Sequence, residues 1–208
     1  MIKSRRSRCA DRQYRVMKTI LLFGAPGSGK GTQGRILAEV PGIFYFASGD
    51  AFRALQDGDP LAEKFREYSN RGELVPDELT VELCIRHFKN AAEKGEHHPE
   101  TDWLLLDGIP RNPAQVEMMR DTIDVRAILH LACPDPEPIV RRILKRAAIE
   151  GRQDDADEAV IRNRFTTYER ETQPILDQYD PDFRHDIDGT QTPLAVCADL
   201  LQVLKTLK

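Results

Sequence analysis

Short apolar runs without alternation punctuate this chain, and longer stretches with apolar residues at helical spacing separate them. Thr19–Phe23 is the first such run; a glycine-rich turn follows, then a predicted helix through about Glu39. Further strands are predicted at Trp103–Leu106 and Ala127–Leu131, with a weaker one at Phe183–Ile187. Strands that are apolar throughout suit a parallel sheet covered on both faces, so the expected class is α/β. From Ser48 to Gly95 the pattern is almost wholly helical, broken at Gly58-Asp59-Pro60 and Arg71-Gly72, and it reads as an inserted helical subdomain. Asp77, after Pro76, is placed to cap a further helix. Cys133-Pro-Asp-Pro-Glu-Pro138 reads as a strand-to-helix turn, and the sequence has no internal repeat.

A chain of 208 residues with 40% hydrophobic content can bury one good core, so residues 18–208 are expected to form a single domain. A net charge of −4 argues against a nucleic-acid surface, which needs an overall basic face. Cys9, Cys84, Cys133 and Cys197 are scattered, with neither a C-x-x-C pair nor histidines at ligand spacing, and read as reduced cytoplasmic thiols. No apolar run approaches bilayer length, and no signal-peptide core is present, so no membrane partner is expected. Residues 1–17 are different: six basic residues face one acid, Asp11, without an apolar period, which predicts a disordered basic arm. Met17, directly before the first strand, is placed where translation could start instead.

Chemistry concentrates in three places. Gly24-Ala-Pro-Gly-Ser-Gly-Lys30-Gly31-Thr32 follows a strand and opens a helix, the context in which a glycine-rich loop turns its N–H groups onto a polyphosphate and Lys30 adds a full charge. The bland alternative is a glycine turn with a surface lysine; the preceding strand weighs against it. Gly31 stands where a Mg²⁺-touching hydroxyl ordinarily sits, and the hydroxyl comes one residue later, at Thr32. Second, Leu104-Leu-Leu-Asp107-Gly108-Ile109-Pro110-Arg111 sets a carboxylate at the tip of a buried strand, able to hold hydrated Mg²⁺, with an arginine that can grip a phosphate through two oxygens. Asp-Gly is also an ordinary turn. Third come Arg142, Arg146, Arg152, Arg162 and Arg164. Any one of them reads as a solvated helix residue, but several guanidinium groups together suit a phosphoryl group in transfer.

Together these motifs resemble the short-lid adenylate kinases, and the resemblance runs from Met17 to Lys208. It implies a P-loop three-layer sandwich with a central parallel sheet, a helical monophosphate-binding insert at 48–77 and a short lid at 147–156. Gly24-x-Pro-Gly-x-Gly-Lys-Gly-Thr32 has the family's loop form, glycine after the lysine included. The resemblance puts ATP on Gly27, Ser28, Gly29, Lys30, Gly31 and Thr32, with Arg142 and Arg146 from an arginine helix. It puts AMP on Ser48, Arg53, Val75, Gly108, Arg111, Gln115, Arg152 and Arg164, with Gln115 reading the base. Lys30, Arg111, Arg146, Arg152 and Arg164 are the implied catalytic groups, with Arg162 as the alternative to Arg164. Asp107 would hold Mg²⁺ through water. A monomer with ATP and AMP as its partners is expected.

Ser48 and Gln115 stand where pyrimidine-preferring members of that family typically carry Ala and Asn, which favours AMP over UMP or CMP, and those over GMP. Ser48 replaces a more usual Thr, while Ala51 and Ile109 stand where a large apolar residue and an aromatic are usual, so the acceptor pocket has its own shape. A nucleotide-binding regulator without kinase activity would need the loop alone, and a kinase for a non-nucleotide metabolite would need neither Gln115 nor the Ser48–Arg53 segment. Neither the reaction nor the residues call for a histidine, a general base or a nucleophile.

Overall fold

In the computed structural model, residues 16–56, 58–150 and 157–207 are described, apart from the side chains of residues 146 and 148–150. The expected basic arm, residues 1–17, and the expected lid, residues 147–156, therefore lie largely outside the described residues. Five strands, β1 (Met17–Gly24), β2 (Ile43–Ala47), β3 (Trp103–Asp107), β4 (Ile123–Ala132) and β5 (Arg184–Asp188), form one wholly parallel sheet in the order β2-β3-β1-β4-β5. The helices are α1 (Lys30–Leu37), α2 (Ser48–Arg53), α3 (Pro60–Ser69), α4 (Asp77–Glu93), α5 (Pro113–Met119), α6 (Glu137–Glu150), α7 (Glu158–Thr167) and α8 (Pro193–Leu204).

The apolar strands are explained by what covers them. Leu21 and Phe23 of β1, with Leu104 and Leu106 of β3, pack on one face against Val81, Cys84 and Phe88 of α4 and Val116 of α5. Ile20, Leu22, Leu105, Leu129 and Leu131 pack on the other against Leu37 of α1 and Val196 and Leu200 of α8. Because successive side chains point to opposite faces, a strand buried on both sides has no polar position to alternate with. Each such Leu or Ile contributes about 1.5–3 kcal/mol by leaving water.

Strand β2 is an addition to the sequence reading. It forms the sheet edge, and four of its five residues are only half-buried. The other boundaries shift by a few residues: β4 starts earlier than Ala127, and β5 lies one residue beyond the expected span. Asp77 does not cap α4; Pro76 precedes the helix without a side-chain cap, and Asp77 is its first residue. Its carboxylate turns to α5 instead.

The order of strands positions the site. The chain leaves β1 toward β2 and β3, then crosses to β4 and β5 on the opposite side, so β1 and β3 flank a topological switch point where open α/β sheets bind ligands. Leu22 of β1 is in register with Asp107 of β3, which brings the Gly24–Lys30 loop alongside the Asp107–Arg111 turn.

Candidate active site

The loop after β1 turns at Gly27, whose φ of 76° is left-handed, and a Cβ there would stand 2.6–2.8 Å from Ile139 and Ile143 of α6. Any side chain would thus push α6 off the loop. From the start of α1, Lys30 folds back so that Nζ donates to Gly24 O (2.7 Å) and Ala25 O (3.0 Å). Burial pulls this ammonium down to about 8, with Asp107 opposing and Arg111 and Arg164 reinforcing.

Asp107, 8% exposed, accepts a hydrogen bond from Tyr45 Oη at 3.0 Å across the β2–β3 pair. Burial pushes its carboxyl above the usual carboxylate range, against the Lys30 ammonium, the Tyr45 hydroxyl and Arg111. The same burial, with Asp107 beside it, raises the Tyr45 phenol, which keeps it a donor. The Arg111 guanidinium donates through Nε to Gly108 O at 2.7 Å, and the Arg111 carbonyl accepts from Thr172 Oγ1 at 2.8 Å. Burial, followed by the proximity of Arg164, lowers Arg111 to about 10. A buried cation so depressed favours binding of an anion, and cations already fixed in place stabilise developing charge without first reorganising.

One cleft collects most of these groups, although Asp107 and Tyr45 lie behind it and are not among its lining residues. Lys30, Ser48, Arg53, Val75, Gly108, Arg111, Gln115 and Arg164 all line it. Ser48 Oγ donates to Gly108 O at 2.8 Å, tying α2 to the turn after β3. Arg53 is held by Asp50, its Nη2 at 2.6 Å from Oδ1. Phe52 and Phe65 stack, ring centroids 5.0 Å apart and nearly coplanar in orientation, and form an apolar part of the wall. The insert reaches back to α7: Asn163 Nδ2 donates to Arg71 O, and Thr167 Oγ1 to Gly72 O at 3.2 Å.

Not every candidate converges. Gly27, Ser28, Gly29, Gly31 and Thr32 build the loop and the first turn of α1, with Thr32 exposed, but are not among the lining residues. Arg142 is exposed on α6 and is not among the lining residues. The Arg146 side chain and Arg152 lie outside the described residues. Between the two candidates on α7, Arg164 faces the cleft, whereas Arg162 points outward into ion pairs with Glu137 (2.8 Å) and Glu158 (2.8 Å). Tyr45, Asp77 and Thr172 were not singled out for the site by sequence reasoning. Tyr45 belongs to the strand that was not predicted; Thr172, in a wide helical turn at Tyr168–Thr172, carries no local signal.

As for a metal, Asp107 offers a hard oxygen at the strand tip, and no group of three or more His, Cys, Asp or Glu that could hold an ion exists among the described residues. That donor set fits Mg²⁺ held mostly by water and substrate phosphate oxygens, and does not fit an all-protein cage.

The adenylate kinase family model matches residues 22–183. The chain is similar to the adenylate kinase of Micrococcus luteus, 37% identical over 200 residues that cover 92% of this chain and 93% of that protein. It is 36% identical to the adenylate kinase of a Cyanothece species, covering 92% and 97%, and 33% identical to that of Bacteroides thetaiotaomicron, covering 92% and 100%.

Proposed function

The chain belongs to the adenylate kinase family, whose phosphoryl transfer between ATP and AMP it catalyses, and we propose that the reaction, with Mg²⁺ on the ATP, runs in the cleft between β1, β3, the helical insert and α7. The observation that carries this proposal is the convergence of Lys30, Arg111 and Arg164 on the one cleft that Ser48, Val75 and Gln115 also line. A transfer between two nucleotides needs cations around the moving phosphoryl group and a separate place for the acceptor base; the presence of both kinds of residue in one lining supports that reading.

The acceptor is a phosphate oxygen already ionised, so no side chain has to remove a proton. The chain's own task is positioning and charge neutralisation. The loop N–H groups and Lys30 hold the ATP phosphates, Arg53 and Arg111 hold the AMP phosphate, and Arg111 and Arg164 balance the charge that spreads over the equatorial oxygens. Asp107 would hold Mg²⁺ through water, where the ion supplies charge neutralisation and orients the phosphates. Arg142 with Arg146 on the ATP side, and Arg152 from the lid segment 147–156, are assigned the remaining phosphate contacts. Closure of the 48–77 insert and the lid excludes water during transfer.

We place the enzyme in the cytoplasm as a monomer. Supporting the location are the free thiols Cys84, Cys133 and Cys197. No helix among the described residues is long and apolar enough to cross a membrane.

The test is a coupled ADP-production assay with ATP and each of AMP, CMP, UMP and GMP, on the wild type and on Arg111→Ala. Rapid turnover with AMP, falling by about a hundredfold in the variant, is expected. Wild-type turnover in Arg111→Ala would remove the proposed site, and preference for a pyrimidine acceptor would overturn the assignment of the base.

A further inference from the structure

Two groups of opposite chemistry grip the Gln115 amide. Its Oε1 accepts the backbone N–H of Arg111 at 2.8 Å, and its Nε2 donates to Asp77 Oδ1 at 2.7 Å. The same Asp77 oxygen accepts from Asn112 Nδ2 at 2.8 Å, while Asn112 Oδ1 caps α5 by accepting from the Gln115 backbone N–H at 2.9 Å. A glutamine amide can ordinarily turn over to suit its neighbours, since its oxygen and nitrogen ends have the same shape. This one cannot do so without penalty. A peptide N–H only donates and a carboxylate only accepts, so inversion would set N–H against N–H and oxygen against oxygen.

The held orientation has a consequence for the ligand. Gln115 is 1% exposed yet lines the cleft, and after these two bonds its amide retains one N–H and one carbonyl lone pair. A glutamine edge of that kind pairs with the Watson–Crick edge of adenine: the 6-amino group donates to Oε1, and the ring nitrogen N1 accepts from Nε2. A 6-oxo purine reverses both partners, because its ring nitrogen N1 carries a proton and its C6 an oxygen. It could be matched only by the inverted amide.

We infer that Asp77 is a specificity-determining residue: together with the Arg111 backbone N–H, it locks the Gln115 amide in the sense that accepts 6-amino purines and rejects 6-oxo purines. Asp77 acts through Gln115 and is a positioning residue. The inference rests on Gln115 being the group that meets the acceptor base.

The experiment compares kcat/KM for AMP and for inosine monophosphate, which differ only at position 6 and its effect on N1, in the wild type, Asp77→Asn and Gln115→Ala. An asparagine can turn its amino group toward Gln115 by giving up the Asn112 bond, which an aspartate cannot do, so one of the two barriers to inversion is lowered. The AMP-to-IMP ratio is expected to fall by about tenfold or more in Asp77→Asn, with the KM for ATP unchanged. A merely structural role would depress both acceptors together and leave the ratio alone; so would a simple charge effect, since both acceptors carry the same ribose phosphate. Asp77→Ser, whose hydroxyl also donates or accepts, repeats the test with a smaller side chain, so poor folding of one variant leaves the other to decide. A wild-type ratio in the Asp77 variants beside a collapsed ratio in Gln115→Ala overturns the role of Asp77 and leaves Gln115 as the base reader. An unchanged ratio in Gln115→Ala overturns the reading of Gln115, and the inference with it.

Discussion

Lys30 should weaken the fold that it equips for catalysis, and the effect is measurable as a pH dependence. Its ammonium is pulled from 10.5 to about 8 chiefly by burial. A lysine lowered in the folded state sheds its proton there before it does in the unfolded chain. The penalty is therefore fully present below pH 8 and is relieved as pH rises from about 8 toward 10.5, where the two states again carry the same charge. The gap between the two values corresponds to about 3 kcal/mol at full extent. Lys30→Met removes the buried charge but also the donor to Gly24 O and Ala25 O, so at pH 7 the two effects oppose each other. The change with pH isolates the ammonium. Urea unfolding of both proteins should show the stability of the wild type rising relative to Lys30→Met by about 2 kcal/mol between about pH 7 and pH 9.5, with other titrating groups cancelling in the difference. Turnover of the variant should be lower by about a hundredfold at pH 7, and the gap should narrow above pH 8 as the wild-type ammonium loses its proton. A stability difference that stays flat with pH, or moves the other way, would refute the buried, depressed ammonium.

The same lysine must be charged to hold a polyphosphate, so kcat/KM for ATP is expected to fall about tenfold per pH unit above pH 8; a profile level to pH 10 would contradict it. Arg164→Ala should reduce kcat by about a hundredfold, whereas Arg162→Ala, which loses only exposed ion pairs, should stay within about twofold in the same assay. Gly34→Ala would place a Cβ 2.2 Å from Tyr45 Cε2, in a ring that Asp107 anchors. Overpacking of about 1–3 kcal/mol outweighs the roughly 1 kcal/mol that alanine adds to a helix, so calorimetry should show Tm lower by about 2–4 °C and not higher.

The parts of the site that were legible in the sequence are contiguous ones. Gly24–Thr32 and Asp107–Arg111 each carry their chemistry within a few residues, and the apolar strand before each one places them at the carboxyl end of the sheet, where ligands bind. Strand β2 was readable in principle, as five apolar residues between Pro41-Gly42 and Ser48, but it is short and half-buried, and it adjoins a helical stretch. Asp77 follows a proline and precedes a helix, which is locally the signature of a cap; its partners lie 35 and 38 positions further along, and distance in sequence hides them. Arg162 and Arg164 sit two residues apart on α7, about 200° around the helix, so only one can face the cleft. What settles the phase is Glu137 on α6, which holds Arg162 outward and has no sequence relation to it.

The central claim is that one set of cations surrounds a phosphoryl group passing between two nucleotides. A crystal structure with a bisubstrate dinucleoside polyphosphate tests it most directly. Polyphosphate oxygens within hydrogen-bond distance of Lys30, Arg111 and Arg164, with the acceptor base against Gln115, are the predicted result. A ligand bound elsewhere, or those three side chains turned to solvent beside it, would contradict the account.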